Sequence, residues 1–181
     1  MPDDSKQPEK RLEIAIDIRN FEIELFWKRS LFFWGFIGAA FVAFAALYNK
    51  GAPELSLLVA CFGLVCSAAW TLVNRGSKYW YENWEQKVER EEVGILGEEF
   101  FARKEPMKKD AGWWLQGRRF SVTRLAIALS DFTVLIWFSL MIWMSLRPPP
   151  PFNFCMKVVF IGLSLVFVIF MGIKGRSSPP P

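Results

Sequence analysis

The chain has 181 residues, of which 52% are hydrophobic, with eighteen Phe and nine Trp. Its formal charge is +4, from 22 Lys and Arg against 18 Asp and Glu. There is no histidine, which excludes Ser-His-Asp and Cys-His catalytic arrangements and histidine-ligated metal.

The apolar excess gathers in four runs: Leu31–Tyr48, Leu55–Val73, Leu125–Leu146 and Phe152–Ile173. Each is about 18 to 22 residues, enough for a helix to cross a hydrocarbon core of roughly 30 Å. The expected fold is an all-α integral membrane protein with four transmembrane helices as two hairpins, plus amphipathic cytosolic helices. Its parts are an N-terminal tail and helix over 1–29, a first hairpin over 30–73, a cytosolic segment over 74–124, a second hairpin over 125–173 and a tail over 174–181.

Ahead of the first run, Ile14, Ile18, Phe21 and Leu25 recur at steps of four, three and four. That period predicts an amphipathic helix, which either packs on other cytosolic parts or lies on the membrane surface. It leads into an aromatic and basic collar, Phe26-Trp27-Lys28-Arg29. No short apolar core with a cleavage site precedes the first run, so that run is expected to be retained as a span.

Span one carries a stripe of small residues, Gly35, Ala39 and Ala43, and span two carries Gly63, Ser67 and Thr71. Such stripes let backbones approach closely in lipid, here seating the hairpin against itself or a sister subunit. The short Asn49–Glu54 connection, with Gly51 and Pro53, makes the two spans antiparallel neighbours. Cys61 and Cys66 share one helix at a spacing that points them apart, so they cannot pair with each other.

After span two, Gly76-Ser77 is expected to break the helix, with Ser77 as an N-cap. A new helix then presents Trp80, Trp84 and Val88 on one face. These rings, with Trp27, Trp113 and Trp114, are expected to anchor at the headgroups or against a neighbouring subunit. Glu82 and Glu85 flank the rings and would repel phosphate, which argues against nucleic acid. Gly94 and Gly97 are expected to loosen or end this helix, and a further amphipathic piece is expected over Glu98–Lys104.

Span three contains one charge, Asp131, about 10 Å along the helix from Arg124. An intramembrane carboxylate suggests an ion path or an inter-helix polar contact, with Ser130 and Thr133 beside it. Four prolines, Pro148–Pro151, form a stiff spacer before span four.

Positive residues orient the whole. Nineteen Lys and Arg lie in segments 1–30, 74–124 and the tail, against three in the opposite connections and their flanks. Both termini and the central segment are therefore expected in the cytoplasm. Those segments also hold sixteen of the acidic residues, so the net charge is mainly a topological signal. No phosphate-binding loop or metal-ligand spacing is present, and no enzyme activity, cofactor or metal is expected.

The stretches FEIELFWKRSLFFWGFI (21–37) and CFGLVCSAAWTLVNRGSKYWYENWE (61–85) resemble the RipA family of small octameric bacterial inner-membrane proteins. The resemblance covers roughly residues 12–92 and implies a multi-pass inner-membrane protein assembled as a homo-octamer. It supplies no catalytic residues. The function expected first is a homo-oligomeric scaffold or envelope-state and stress-adaptation factor, with the bilayer and itself as partners. The alternatives are an oligomeric channel or transporter with Asp131 near its path, and an accessory subunit engaging an unidentified membrane or cytosolic protein.

Overall fold

The structure, a computed structural model, describes residues 7–96, 121–147 and 154–176. They form four α-helices: α1 (Gln7–Asn49), α2 (Pro53–Leu96), α3 (Val122–Leu146) and α4 (Phe154–Lys174). All four are long and apolar enough to cross a bilayer, and no strand occurs among the described residues. The all-α membrane fold is as expected. The amphipathic piece at 98–104, Trp113, Trp114 and the proline run at 148–151 lie outside the described residues.

Helix length separates the two halves of the chain. α1 has 43 residues and α2 has 44, so each extends about 65 Å, twice the thickness of a hydrocarbon core. α3, with 25 residues, and α4, with 21, fit the core alone. The first hairpin therefore crosses the membrane and stands roughly 30 Å beyond it as a two-helix stalk, residues 7–29 against 74–96. The amphipathic helix expected before span one is the outer half of that same helix. Because one unbroken helix has one axis, its outer half projects away from the bilayer and does not lie on it.

The expected break at Gly76-Ser77 does not occur: α2 continues unbroken through both residues. A glycine inside a helix costs only about 1 kcal/mol, and α1 packing along the whole hairpin outweighs it. Ser77 is buried, and its Oγ accepts a hydrogen bond of 3.2 Å from Arg29 Nη1, so it serves as a cross-helix contact and not as a cap.

The turn between α1 and α2 follows from its residues. Gly51 takes φ +68°, its N–H donates to Tyr48 O, and the Ala52 N–H reaches back to Leu47 O. These two bonds make a Schellman motif, which needs a residue without Cβ strain at Gly51. Pro53 then starts α2, where a missing N–H is no loss. At the other bilayer face, Ser121 caps α3 by accepting from Arg124 N at 3.4 Å.

α2 is the central helix, packed against α1, α3 and α4. The core joins Ala40 and Phe44 of α1, Leu57, Ala60 and Leu64 of α2, and Trp137, Met141 and Met144 of α3. α4 lies at its margin through Phe160 and Ile161, and buries only Ser164.

In the stalk the buried faces differ from those expected. α1 turns Ala15, Phe26 and Ser30 inward, while Ile14 and Phe21 of the expected stripe are 49% and 58% exposed. The span decides this: Ile37, Ala40 and Phe44 face the core, and a straight helix carries that register outward. On α2 the inward face is Ser77, Tyr81, Trp84 and Val88, and Trp80 points away. Eight residues leave Trp80 about 80° from Val88, whereas seven bring Tyr81 to within about 20°.

Candidate functional site

The span-two stripe is the seat of α3. A Cβ on Gly63 would come within 2.3 Å of the Trp137 ring. Only glycine lets that indole lie on the α2 backbone, where it is fully buried and stacked on Phe41 with centroids 4.3 Å apart. Ser67 and Thr71 continue the buried line. Asn74 ends it, eleven residues and three turns from Gly63 on nearly the same face. Its Nδ2 donates to Ser130 Oγ at 3.3 Å and to Ala126 O at 3.4 Å, and Ser130 in turn donates to Ile127 O. Thr133 is also buried and returns its hydroxyl to Leu129 O at 2.8 Å. The span-one stripe behaves otherwise: Gly35 and Ala39 are exposed, Ala43 is half-buried, and nothing lies within 4 Å of a Cβ built on Gly35. Within one chain α1 packs through Ile37, Ala40 and Phe44 instead.

Asp131 stands at the edge of this polar belt. Its Oδ2 accepts from Arg75 Nη2 at 2.8 Å, and both side chains are about half exposed. The pair ties α2 to α3 and neutralises the only charge of span three. An exposed pair of this kind adds little to stability in water, but in lipid it spares an unpaired carboxylate. Arg29 with Ser77, Asn74 with Ser130, and Arg75 with Asp131 thus form one girdle where the stalk leaves the bilayer. A cavity of about 360 Å³ opens beside it, lined by Glu22, Phe26, Trp27, Ser77, Tyr81 and Ser121 among others. Burial and the nearby Glu85 carboxylate push the Tyr81 phenol above its usual range.

The other bilayer face has a girdle of its own. Arg147 lies over the rings of Tyr48 and Trp143, 4.8 and 4.5 Å from their centroids, and donates to the Tyr48 hydroxyl. Lys157 of α4 donates to Arg147 O at 3.1 Å. This cation–π box holds the ends of α1, α3 and α4 together.

On the stalk, Trp27 and Trp80 are exposed, Trp84 is half-buried beneath Lys87 with Nζ 4.1 Å from its ring, and Val88 is buried. Glu92 is buried too, and its Oε1 meets no hydrogen-bond partner among the described residues. No cluster of three or more His, Cys, Asp or Glu is placed to hold a metal among the described residues.

Asn74, Trp137 and the Arg147 box were not singled out from the sequence. Asn74 carried a signal, because it extends the Gly63, Ser67, Thr71 line. Trp137 carried none, being one apolar residue inside an apolar run.

The family model for octameric membrane proteins (8xMP) matches residues 9–146, which include the stalk, its connection and spans one to three. No curated protein and no solved structure matches the chain.

Proposed function

The chain belongs to the octameric membrane protein family, and on that premise we propose that it is a homo-octameric scaffold of the bacterial inner membrane. In this proposal both termini and the stalks face the cytoplasm, eight stalks stand as a crown above the bilayer, and the crown presents a surface through which the envelope's state is sensed or partners are gathered. The role is non-enzymatic. The observation that carries it is the continuous hairpin: about half of α1 and α2 is spent outside the membrane on a helical pair, and among the described residues that pair leaves large apolar side chains exposed. The excess of Lys and Arg on the stalk side supports the cytoplasmic orientation.

Protein in lipid nanodiscs is expected to weigh eight chains and to show mass projecting on one side. Proteolysis of right-side-out and inverted vesicles is expected to cut the stalk only when the cytoplasmic face is outside. A stable monomer would end the scaffold reading.

The channel reading retains one observation in its favour, the half-exposed Arg75–Asp131 pair at the bilayer edge. Asp131→Asn is expected to leave the assembly intact, and liposomes containing either protein are expected to pass no current. A conductance present in the parent protein and lost in Asp131→Asn would favour the channel. An accessory role would be seen as a fixed second component co-purifying with the octamer.

A further inference from the structure

α1 carries two seams, and among the described residues only one of them is packed against another helix. On the unused side of the stalk lie Ile14, Ile18, Phe21 and Leu25, of which Ile14 and Phe21 are well exposed. The same steps of four and three continue through Lys28 into the membrane as Phe32, Gly35, Ala39 and Val42, all exposed. This is a seven-residue repeat along nearly the whole helix, the pattern by which one helix lies lengthwise on another. The stalk half cannot shed these side chains into lipid, because the unbroken helix lifts them clear of the bilayer.

α2 has an outer seam of the same period. In the membrane it reads Leu55, Leu58, Phe62 and, further along, Leu72, all exposed. In the stalk it reads Gly76, Tyr79, Asn83, Gln86, Arg90 and Val93, with Tyr79 and Val93 exposed. The two seams complement each other. In the membrane the small Gly35 of α1 comes level with Leu72 of α2. In the stalk Asp17, beside the α1 seam, is opposite in sign to Arg90 on the α2 seam, while Lys28 on the α1 seam is already paired with Glu24 at 2.7 Å.

Level matters here as well as composition. Arg29 and Ser77 touch and so share one height. Asp17 lies twelve residues further out on α1 and Arg90 thirteen further out on α2, so the two are level to within one residue's rise of about 1.5 Å, as are Ile14 and Val93 three residues beyond them. Just outside the Arg29–Ser77 height Lys28 is level with Tyr79, and toward the membrane Gly35 is level with Leu72, each to within one residue's rise. In a closed ring whose axis is the membrane normal, every copy sits at the same depth, so residues at one level are those that face each other. A ring of eight also needs a heterologous contact, two different faces on each copy.

We propose that the outer seam of α1 in one copy packs lengthwise on the outer seam of α2 in the next copy, through both the membrane and the stalk, and that this contact closes the octamer. The occupant of the exposed α1 face is thus a second copy of this chain. The inference rests on the homo-oligomeric reading above and specifies its interface.

The test uses the full chain in two differently tagged populations, co-expressed in a Cys155→Ser background. One carries Ile14→Cys and the other Val93→Cys. Mild oxidation is expected to join the two tags in a disulfide-linked heterodimer, well above either homodimer. In parallel, Asp17→Arg is expected to shift most of the protein from eight chains to smaller species, and Arg90→Asp in the same chain is expected to restore the octamer. Helix content should stay constant, because both residues are exposed. An intact octamer that yields only like-tag dimers, or that is indifferent to Asp17→Arg, overturns the interface while leaving the oligomer standing. A parent protein that is monomeric overturns the oligomeric reading itself.

Discussion

Gly63 and Trp137 set how closely α2 and α3 approach. An indole replaces what would elsewhere be several aliphatic side chains, and one absent Cβ makes room for it. Gly63→Ala is therefore expected to destabilise the fold by about 1–3 kcal/mol, the usual penalty for overpacking. Unfolding in mixed micelles with increasing SDS would measure it, and an unchanged midpoint would refute the tight seat. The same scale shows how much of the candidate site could be read from the sequence. Gly63, Ser67 and Thr71 stood out as a close-packing stripe, and they lie against α3. Gly35 and Ala39 carried the same signature and face outward. Spacing names the face of a helix that permits close approach, but it does not name the neighbour that approaches.

At the scale of elements, the main departure is α2. Glycine followed by serine after an apolar run reads as an exit from the membrane, yet the helix continues for a further stalk length. Local preference at Gly76 amounts to about 1 kcal/mol, and a long partner helix outweighs it. Since within one chain nothing lies within 4 Å of a Cβ built there, Gly76→Ala is expected to stabilise the hairpin of the dissociated chain by about 0.5–1 kcal/mol. A thermal melt of the stalk signal would register a rise. A loss of stability would mean that the glycine serves a bend and that α2 is not straight. The register of the stalk has a related origin. Two stripes compete on α1, and the stripe continuous with Ile37, Ala40 and Phe44 in the span is the one that meets α2.

For the whole molecule, the lengths of the helices make the shape asymmetric about the membrane. Two helices of roughly 65 Å beside two that fit the bilayer predict a protrusion of about 30 Å on one face, with the opposite face closed by the short turn and the Arg147 box. Side views of particles in nanodiscs would measure it, and protrusions of equal height on both faces would contradict it. Four apolar runs, their antiparallel first pair and the all-helical class were determined by sequence alone. The reason is that a bilayer leaves a long apolar segment no alternative to satisfying its backbone bonds within a helix. What only the tertiary structure decided is which face of each helix points inward, and that α1 and α2 continue unbroken into the stalk. Those choices belong to pairs of helices: Trp137 finding Gly63, Arg29 finding Ser77 and Arg75 finding Asp131 are contacts between residues more than forty positions apart, and no local period encodes them.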